Sequence, residues 1–327
     1  DSMRFSLISP TFDRPEEVKE FISSVSKLDY SHNLFEVILA DGTPNDTLRP
    51  IIESESKRCK LKVTTIHKEY LPVSEARNLA AEKAQGEYLI FLDSDCIIPL
   101  EYLKRIDSAL VKYSLDAFGG PDSAPPDFNN LQKAISFSMT SFWTTGGIRG
   151  KKLSTSTYYP RGFNMGVKKD VFKTLNGFDV NFKTGEDVEF SIRLVQSKYR
   201  VGFVPEAVVY HKRRSNLLGF YNQVKRFGGA RWHLSRRHKG QLKITHMFPV
   251  FFIAYILIAS FLAIFQIMSP LLIGVIYLIV PFFLSGIQNK SLKVGLLSIF
   301  STLIMMLAYA KGFLDAVLGG GSHLKRG

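Results

Sequence analysis

The stretch Gly86-Glu87-Tyr88-Leu89-Ile90-Phe91-Leu92-Asp93-Ser94-Asp95 decides how the chain is read. Its unbroken apolar run is short for a helix and suits a strand covered on both faces. The acids that end it, Asp93 and Asp95, do not belong in a core. Either they cap the strand as solvated carboxylates, or they share a divalent cation that relieves their repulsion. Mg2+ or Mn2+ suits such hard oxygen ligands.

The pattern repeats on the N-terminal side. Arg4 to Ser9, Phe35 to Ala40 and Leu61 to Ile66 read as strands, and Arg14 to Lys27, Asp46 to Arg58 and Val73 to Ala84 as helices between them. Strands alternating with helices of about a dozen residues predict an α/β fold, Rossmann-like, with a mostly parallel sheet and helices on both faces. Ligands of such sheets bind beyond the carboxyl ends of the strands, where Asp41, Asp93 and Asp95 fall. No Gly-x-Gly-x-x-Gly or Walker loop follows any strand, so the usual dinucleotide and nucleotide-triphosphatase fingerprints are missing.

The composition of the 327 residues, 46% hydrophobic and 22% charged, excludes a disordered chain. The 24 Gly and 14 Pro follow no period, which excludes a collagen-like one, and two cysteines, Cys59 and Cys96, cannot make a disulfide framework. The net charge of +13 is unevenly spread. Residues 1–211 balance at −1, residues 212–243 carry 10 basic and no acidic residues, and residues 244–327 add +4.

The basic stretch stands next to a long apolar segment, which gives it a reason. Met247 to Met268 is 22 residues without a charge, long enough at about 1.5 Å per residue to cross a bilayer core of roughly 30 Å. Ser269-Pro270 breaks it, Leu271 to Ile287 makes a second apolar run, and Val294 to Ala310 a third after the polar connector Gln288 to Lys293. The chain accordingly divides into 1–211, the α/β part; 212–246, a basic amphipathic interfacial segment; 247–318, a membrane region of two or three hydrophobic helices, whose third run either crosses or lies along the surface; and 319–327, a tail that, like Asp1-Ser2, carries no weight in the reading. Residues 1–20 lack the features of a signal peptide. The positive-inside rule puts the basic stretch, and the domain before it, on the cytoplasmic side, and a bacterial inner or plasma membrane is the expected location.

Two later positions are ambiguous by themselves. Gly185-Glu186-Asp187 precedes the helical pattern Val188 to Gln196, so Glu186 or Asp187 is either a helix cap or a general base. His211 ends a strand-like run from Ala207 and is either structural, one more basic residue, or a metal ligand.

Taken in order, these pieces are more specific. Ser9-Pro10-Thr11-Phe12-Asp13-Arg14, Glu36 to Thr43, Glu75-Ala76-Arg77-Asn78 and Gly86 to Asp95 are followed by Arg161 to Gly166, Asn176-Gly177-Phe178-Asp179, Gly185-Glu186-Asp187 and Pro205 to His211. Over roughly residues 4–240 the chain resembles the family 2 glycosyltransferases, with the GT-A nucleotide-sugar-binding fold.

The resemblance implies that Asp41 accepts the base N–H of a nucleotide-sugar donor, with Thr11 and Arg77 lining the pocket. It places Asp93 near ribose and metal, Asp95 as the main ligand of Mn2+ or Mg2+, and His211 within reach of the metal or diphosphate. Asp187, with Glu186 beside it, matches the base that deprotonates the acceptor, which implies inversion at the anomeric carbon. Two departures fall on the nucleotide side: Ala40 replaces the first acid of Asp-Asp-Gly-Ser, and Phe12-Asp13-Arg14 stands for Tyr-Asn-Arg.

Gln223-Val224-Lys225-Arg226-Phe227 resembles the Gln-x-x-Arg-Trp motif of processive polysaccharide synthases, with Phe for Trp. There the arginine meets the donor diphosphate and the aromatic stacks on the acceptor sugar. The same stretch also reads as an interfacial helix, since Leu217, Leu218, Phe220, Tyr221, Val224 and Phe227 stand among basic residues that suit an anionic bilayer. Residues 116–160, with Trp143 at their centre, are expected to shape the acceptor side.

The leading expectation is an inverting enzyme that moves a sugar to a lipid-linked or other membrane-held saccharide in polysaccharide assembly, with no nucleic-acid partner. A processive synthase is the runner-up, disfavoured by few spans and by Phe227. A catalytically inert protein that uses its basic patch on a membrane surface or on nucleic acid is the alternative of another class.

Overall fold

The structure, a computed structural model, describes residues 2–123, 127–145, 158–212 and 215–319. They form two compact units. The first comprises the described residues up to Ser123 and from 158 to Lys212; the second takes 127–145 together with 215–319. The chain leaves the first unit after Ser123 and returns to it before Lys212.

The first unit is built on strands β1 (Phe5–Thr11), β2 (Phe35–Asp41), β3 (Val63–His67), β4 (Tyr88–Leu92), β5 (Cys96–Ile97), β6 (Ala117–Gly119), β7 (Asp122–Ser123), β8 (Asn164–Lys168), β9 (Val201–Phe203) and β10 (Val209–His211). Seven form one sheet in the order β3-β2-β1-β4-β8-β6-β9, with β3, β2, β1 and β4 parallel and β8 antiparallel to both its neighbours. The expected mostly parallel α/β sheet is present.

Period-two alternation makes the core two-sided. Leu7, Val37, Leu39, Ile90 and Leu92 face one layer, packed with Val18, Phe21 and Ile22 of helix Pro15–Ser26. Ile8, Ile38, Leu89 and Phe91 face the other, packed with Ala76 and Ala80 of helix Val73–Lys83 and Phe190 of helix Glu186–Gln196. Both faces of β4 are therefore sealed, and its first polar residues emerge only at its carboxyl end. A second sheet, β5-β10-β7, gathers three short strands whose ends carry acids and His211.

The second unit is helical. Helix Asn130–Thr140 starts at a capping box between Asn129 and Gln132. The basic stretch forms helix Leu217–Arg237, capped by Asn216. Three further helices, Ile244–Ile264, Ser269–Asn289 and Leu292–Val317, are long and apolar enough to cross a membrane. The expected break at Ser269-Pro270 starts the second of these, with Pro in the first turn where its missing N–H is tolerated.

Two details differ from the expectations. Phe220 and Val224, read as part of a lipid-facing surface, are buried with Ile135, Met139 and Ala308, so tertiary packing uses part of that apolar face. The third apolar helix extends past Ala310 to Val317 and is also the most buried: 44% of its most apolar stretch, against 11% and 17% for the other two.

Candidate active site

The strand ends of the first unit bring the expected acids to one place. β1 and β2 run in register, with Thr11 opposite Asp41. Asp41 is fully buried, and its Oδ1 accepts from the Thr43 N–H at 3.0 Å and the Thr43 hydroxyl at 2.6 Å. Among the described residues its Oδ2 accepts no hydrogen bond, and the buried Thr11 hydroxyl likewise has no partner. A buried acceptor and a buried hydroxyl on adjacent strands can hold a ligand N–H.

Arg77 is the hinge of the site. Only 3% exposed, its guanidinium donates to Asp93 Oδ1 at 3.0 Å, to Glu186 Oε1 at 2.7 Å and to the Gly162 carbonyl at 3.1 Å. It also lies over the Phe178 ring at 5.5 Å. A Cβ on residue 162 would sit 2.6 Å from its Nη1, so the close approach requires Gly162. The Gly162 N–H in turn donates to Asp187 Oδ2 at 2.9 Å. Arg77 thus ties the Asp93 loop to the Glu186-Asp187 pair, more than ninety residues later in the chain.

The two neighbouring acids are not equivalent. Glu186 is buried on Arg77; burial raises its pKa, against the pull of Arg77, to about 7. Asp187 is half-buried. Besides Gly162 it accepts the N–H of Val188 at 2.8 Å, and helix Glu186–Gln196 begins at Gly185 without a side-chain cap bond. Of the two, Asp187 is placed to meet a partner from solvent.

Asp95 and His211 meet across the second sheet. The antiparallel pairing of β5 with β10 sets His211 opposite Cys96, and the Phe163 ring stacks on the imidazole at 5.4 Å. His211 Nε2 lies 3.2 Å from Asp95 Oδ1 and 3.9 Å from Asp93 Oδ2, and Nδ1 lies 3.8 Å from Asp122 Oδ2. Burial alone would lower the His211 pKa, but Asp95, Asp122 and Asp93 outweigh it and hold it at about 10. Burial pushes Asp93 upward, with Arg77 opposing and Asp95, His211 and Asp187 also felt there.

Asp95 and Asp93 offer the hard oxygens that a divalent ion takes, and His211 can join them only by giving up the proton that these acids hold on it. Ligand atoms of Asp95, Cys96 and His211 lie within 4.8 Å of one another. Cys96 is the poor member, since burial pushes its thiol well above the usual range and a thiol must ionise to bind. The 3.2 Å between Asp95 Oδ1 and His211 Nε2 is close to the edge of an octahedron whose bonds are about 2.1 Å. A second trio, Asp41, Asp46 and His67, is only partly satisfied by its neighbours: Arg49 pairs with Asp46 Oδ2 and His67 Nε2 is 2.7 Å from the Thr43 carbonyl oxygen, while Asp41 Oδ2 and Asp46 Oδ1 accept no hydrogen bond among the described residues.

Thr11, Asp41, Arg77, Asp93, Asp95, Glu186, Asp187 and His211 all lie in the first unit. Gln223, Arg226 and Phe227 belong to helix Leu217–Arg237 of the second unit, as does Trp143, whose indole N–H donates to the Tyr277 carbonyl at 3.2 Å. Sequence reasoning missed Asp122 and gave Arg14 no role. Arg14 Nη1 pairs with Asp95 Oδ2 at 2.9 Å, a contact hinted at only by its place just after β1.

Comparison with known proteins identifies the family. Residues 6–175, just over half of the chain, match the family model described as glycosyl transferase family 2. The chain belongs to that family. Among curated proteins it is 24% identical, over 98% of its length and 99% of the other's, to a dolichyl N-acetyl-alpha-D-glucosaminyl phosphate 3-beta-D-2,3-diacetamido-2,3-dideoxy-beta-D-glucuronosyltransferase of Methanococcus voltae. It is 33% identical over 102 residues to the poly(ribitol-phosphate) beta-N-acetylglucosaminyltransferase TarS of Staphylococcus aureus, but there it spans only 18% of the relative's length.

Among solved structures, mannosyltransferase PcManGT from Pyrobaculum calidifontis, in complex with GDP-Man and Mn2+, superposes with a TM-score of 0.61 at 16% identity, covering 98% of this chain and 89% of that one. S. aureus TarS 1-349 gives 0.51 at 19% identity, over 75% and 66%. These similarities identify the fold as GT-A, followed in this glycosyltransferase by a helical region with apolar helices.

Proposed function

We propose that this family 2 glycosyltransferase is a cation-dependent, inverting enzyme. It transfers one sugar from a nucleoside-diphosphate sugar to a membrane-held saccharide, with a polyprenyl-linked acceptor as the natural candidate. The observation that carries the reading is the Arg77 bridge, which joins Asp93 to Glu186 beside Asp187 through one buried guanidinium.

Asp41 offers Oδ2 to the base N–H, with Thr11 and Arg77 lining the donor side. Asp93, Asp95 and, on losing its proton, His211 would hold Mn2+ or Mg2+, which would neutralise the charge that grows on the leaving diphosphate. Asp187, pinned by the Gly162 N–H, takes the proton of the acceptor hydroxyl. The hydroxyl oxygen forms the new bond to the anomeric carbon as the bond to the diphosphate breaks on the opposite face, which inverts that centre.

The Mn2+ and GDP-Man of the Pyrobaculum structure support a cation and a nucleotide sugar. The dolichyl-linked acceptor in the name of the Methanococcus relative supports a lipid-linked saccharide. The basic stretch before the first apolar helix favours a cytoplasmic catalytic unit. The resemblance of Gln223 to Phe227 to the synthase motif would give Arg226 the diphosphate and Phe227 the acceptor sugar; Gln223 stands second-line beside them, and Trp143 stays an expectation for the acceptor side.

The test is a screen of nucleotide sugars with Mn2+ or Mg2+, read as protection against heat and as turnover. One donor is expected to protect and turn over, and Asp95→Ala to lose metal-dependent turnover while the protein stays in the membrane. Parental turnover by Asp95→Ala would overturn the reading. A ladder of many sugars on one acceptor would point to a processive synthase.

A further inference from the structure

Leu292–Val317 is long enough to cross a bilayer, yet its neighbour within the second unit forbids it. Helix Leu217–Arg237 carries Lys225, Arg226, Arg231, Arg236 and Arg237, with Arg226, Arg236 and Arg237 exposed. From Lys225 onward a helix so charged does not lie in hydrocarbon; only its first eight residues, Leu217 to Val224, are uncharged. The two helices touch backbone to backbone: a Cβ on Gly312 would sit 1.8 Å from the Lys225 carbonyl oxygen, and one on Gly228 2.1 Å from that of Tyr309. Lys225 Nζ pairs with Asp315 Oδ2 at 3.1 Å, and the Trp232 and Phe313 rings meet at 5.8 Å.

Tyr309 to Ala316 therefore shares the depth of the charged helix. Ile304, Met305 and Ala308 already pack with its Phe220 and Val224. Between Lys293 and that contact only Val294 to Leu303 is left for lipid, about 15 Å of helix against a core of roughly 30 Å.

The exposed side of the helix fits a different placement. Leu292, Leu296, Phe300, Leu307, Leu314 and Leu318 are 42–82% exposed and recur at steps of four and seven, one apolar stripe along the whole helix. Lys293 and Lys311 are about five turns apart and so lie on one edge of it. Gly295, Ser298, Ser301, Thr302 and Gly312 face inward, where Ser298 donates to Ser285 and Ser301 meets Ser138.

We propose that this helix is an interfacial strut that does not cross. Its leucine stripe dips into the acyl boundary of one leaflet, and Lys293 meets anionic headgroups at its edge, where Lys311 pairs with Asp315 of the same helix. Both its ends lie on the side of the basic helix, and only Ile244–Ile264 and Ser269–Asn289 cross. The inference rests on the reading of the chain as a membrane protein, so the test begins with carbonate extraction of the full chain from host membranes. Release would overturn that reading itself.

With the protein retained, single nitroxides are placed at Leu296, Phe300, Leu307 and Leu314 in a Cys59→Ser background, where the remaining Cys96 is buried. Depth is read from oxygen against nickel-chelate accessibility in liposomes of phosphatidylcholine and phosphatidylglycerol. The strut predicts one shallow depth at all four positions. It also predicts that Leu318→Cys and Lys239→Cys take an impermeant maleimide from the same face of sided vesicles. Depths that deepen toward the bilayer centre at Phe300 and Leu307 and become shallow again at Leu314, or labelling of the two cysteines from opposite faces, would overturn it.

Discussion

At the scale of single residues, Arg77 answers for most of the site. Its three acceptors lie on different segments, so Arg77→Met leaves Glu186 and Asp93 without their cation. Removing one partner of a buried ion pair costs about 3–5 kcal/mol; the expected result is a large drop in melting temperature together with loss of donor binding. Glu186 supplies a pH signature. Because its folded pKa is raised to about 7, the folded state holds a proton that the unfolded chain has already released. Its contribution to stability is greatest below the unfolded value near 4.5 and falls as pH rises through 7, by roughly 3 kcal/mol at most. Melting of the parent should therefore weaken from pH 5 to 7.5 relative to Glu186→Gln, and a constant difference between the two would contradict this. Asp93, Asp95 and Asp187 were legible because acids that end a buried strand or open a helix stand out in a single sequence. The partners Arg14 and Asp122 were not, since each matters only through contacts some 80 to 90 residues away that no local pattern carries.

At the scale of elements, strands and helices before Asp95 were legible because apolar spacing and strand ends agree there. Of the strands that complete the sheet, two are three residues long, and the third, Asn164–Lys168, mixes Asn, Gly and Lys with only two apolar residues, so none has a pattern to read. The apolar runs were legible as runs, but composition does not say which face of a helix meets protein. In Leu292–Val317 that information lies in small residues, which score as apolar and act as contact points. Gly312→Val tests this: with the Lys225 carbonyl oxygen 1.8 Å from a Cβ, the two helices must separate. The expected loss is about 1–3 kcal/mol, seen as a lower melting temperature in detergent. The exposed Leu314→Val should change it by under about 0.5 kcal/mol.

At the scale of the whole molecule, charge and hydropathy showed two materials in one chain, but not that residues 127–145 group with the later one. A segment that leaves one unit and joins another has no compositional edge when both parts are mixed in polarity. Two ways of holding to a membrane are also separable. Attachment through the basic helix alone would be screened by salt, whereas the uncharged helices Ile244–Ile264 and Ser269–Asn289 would not let go. Washing membranes with 1 M NaCl, a concentration at which screening reaches about 3 Å, should release none of the protein, and release there would favour a surface-bound basic protein. The central claim remains chemical: acids distant in the chain act together on one phosphorylated sugar. Its most direct measurement compares Asp187→Asn with the parent for donor binding and for transfer to acceptor in the presence of Mn2+. The expected result is unchanged donor affinity with transfer slowed by about 10²–10⁴-fold; transfer at the parental rate would contradict the claim.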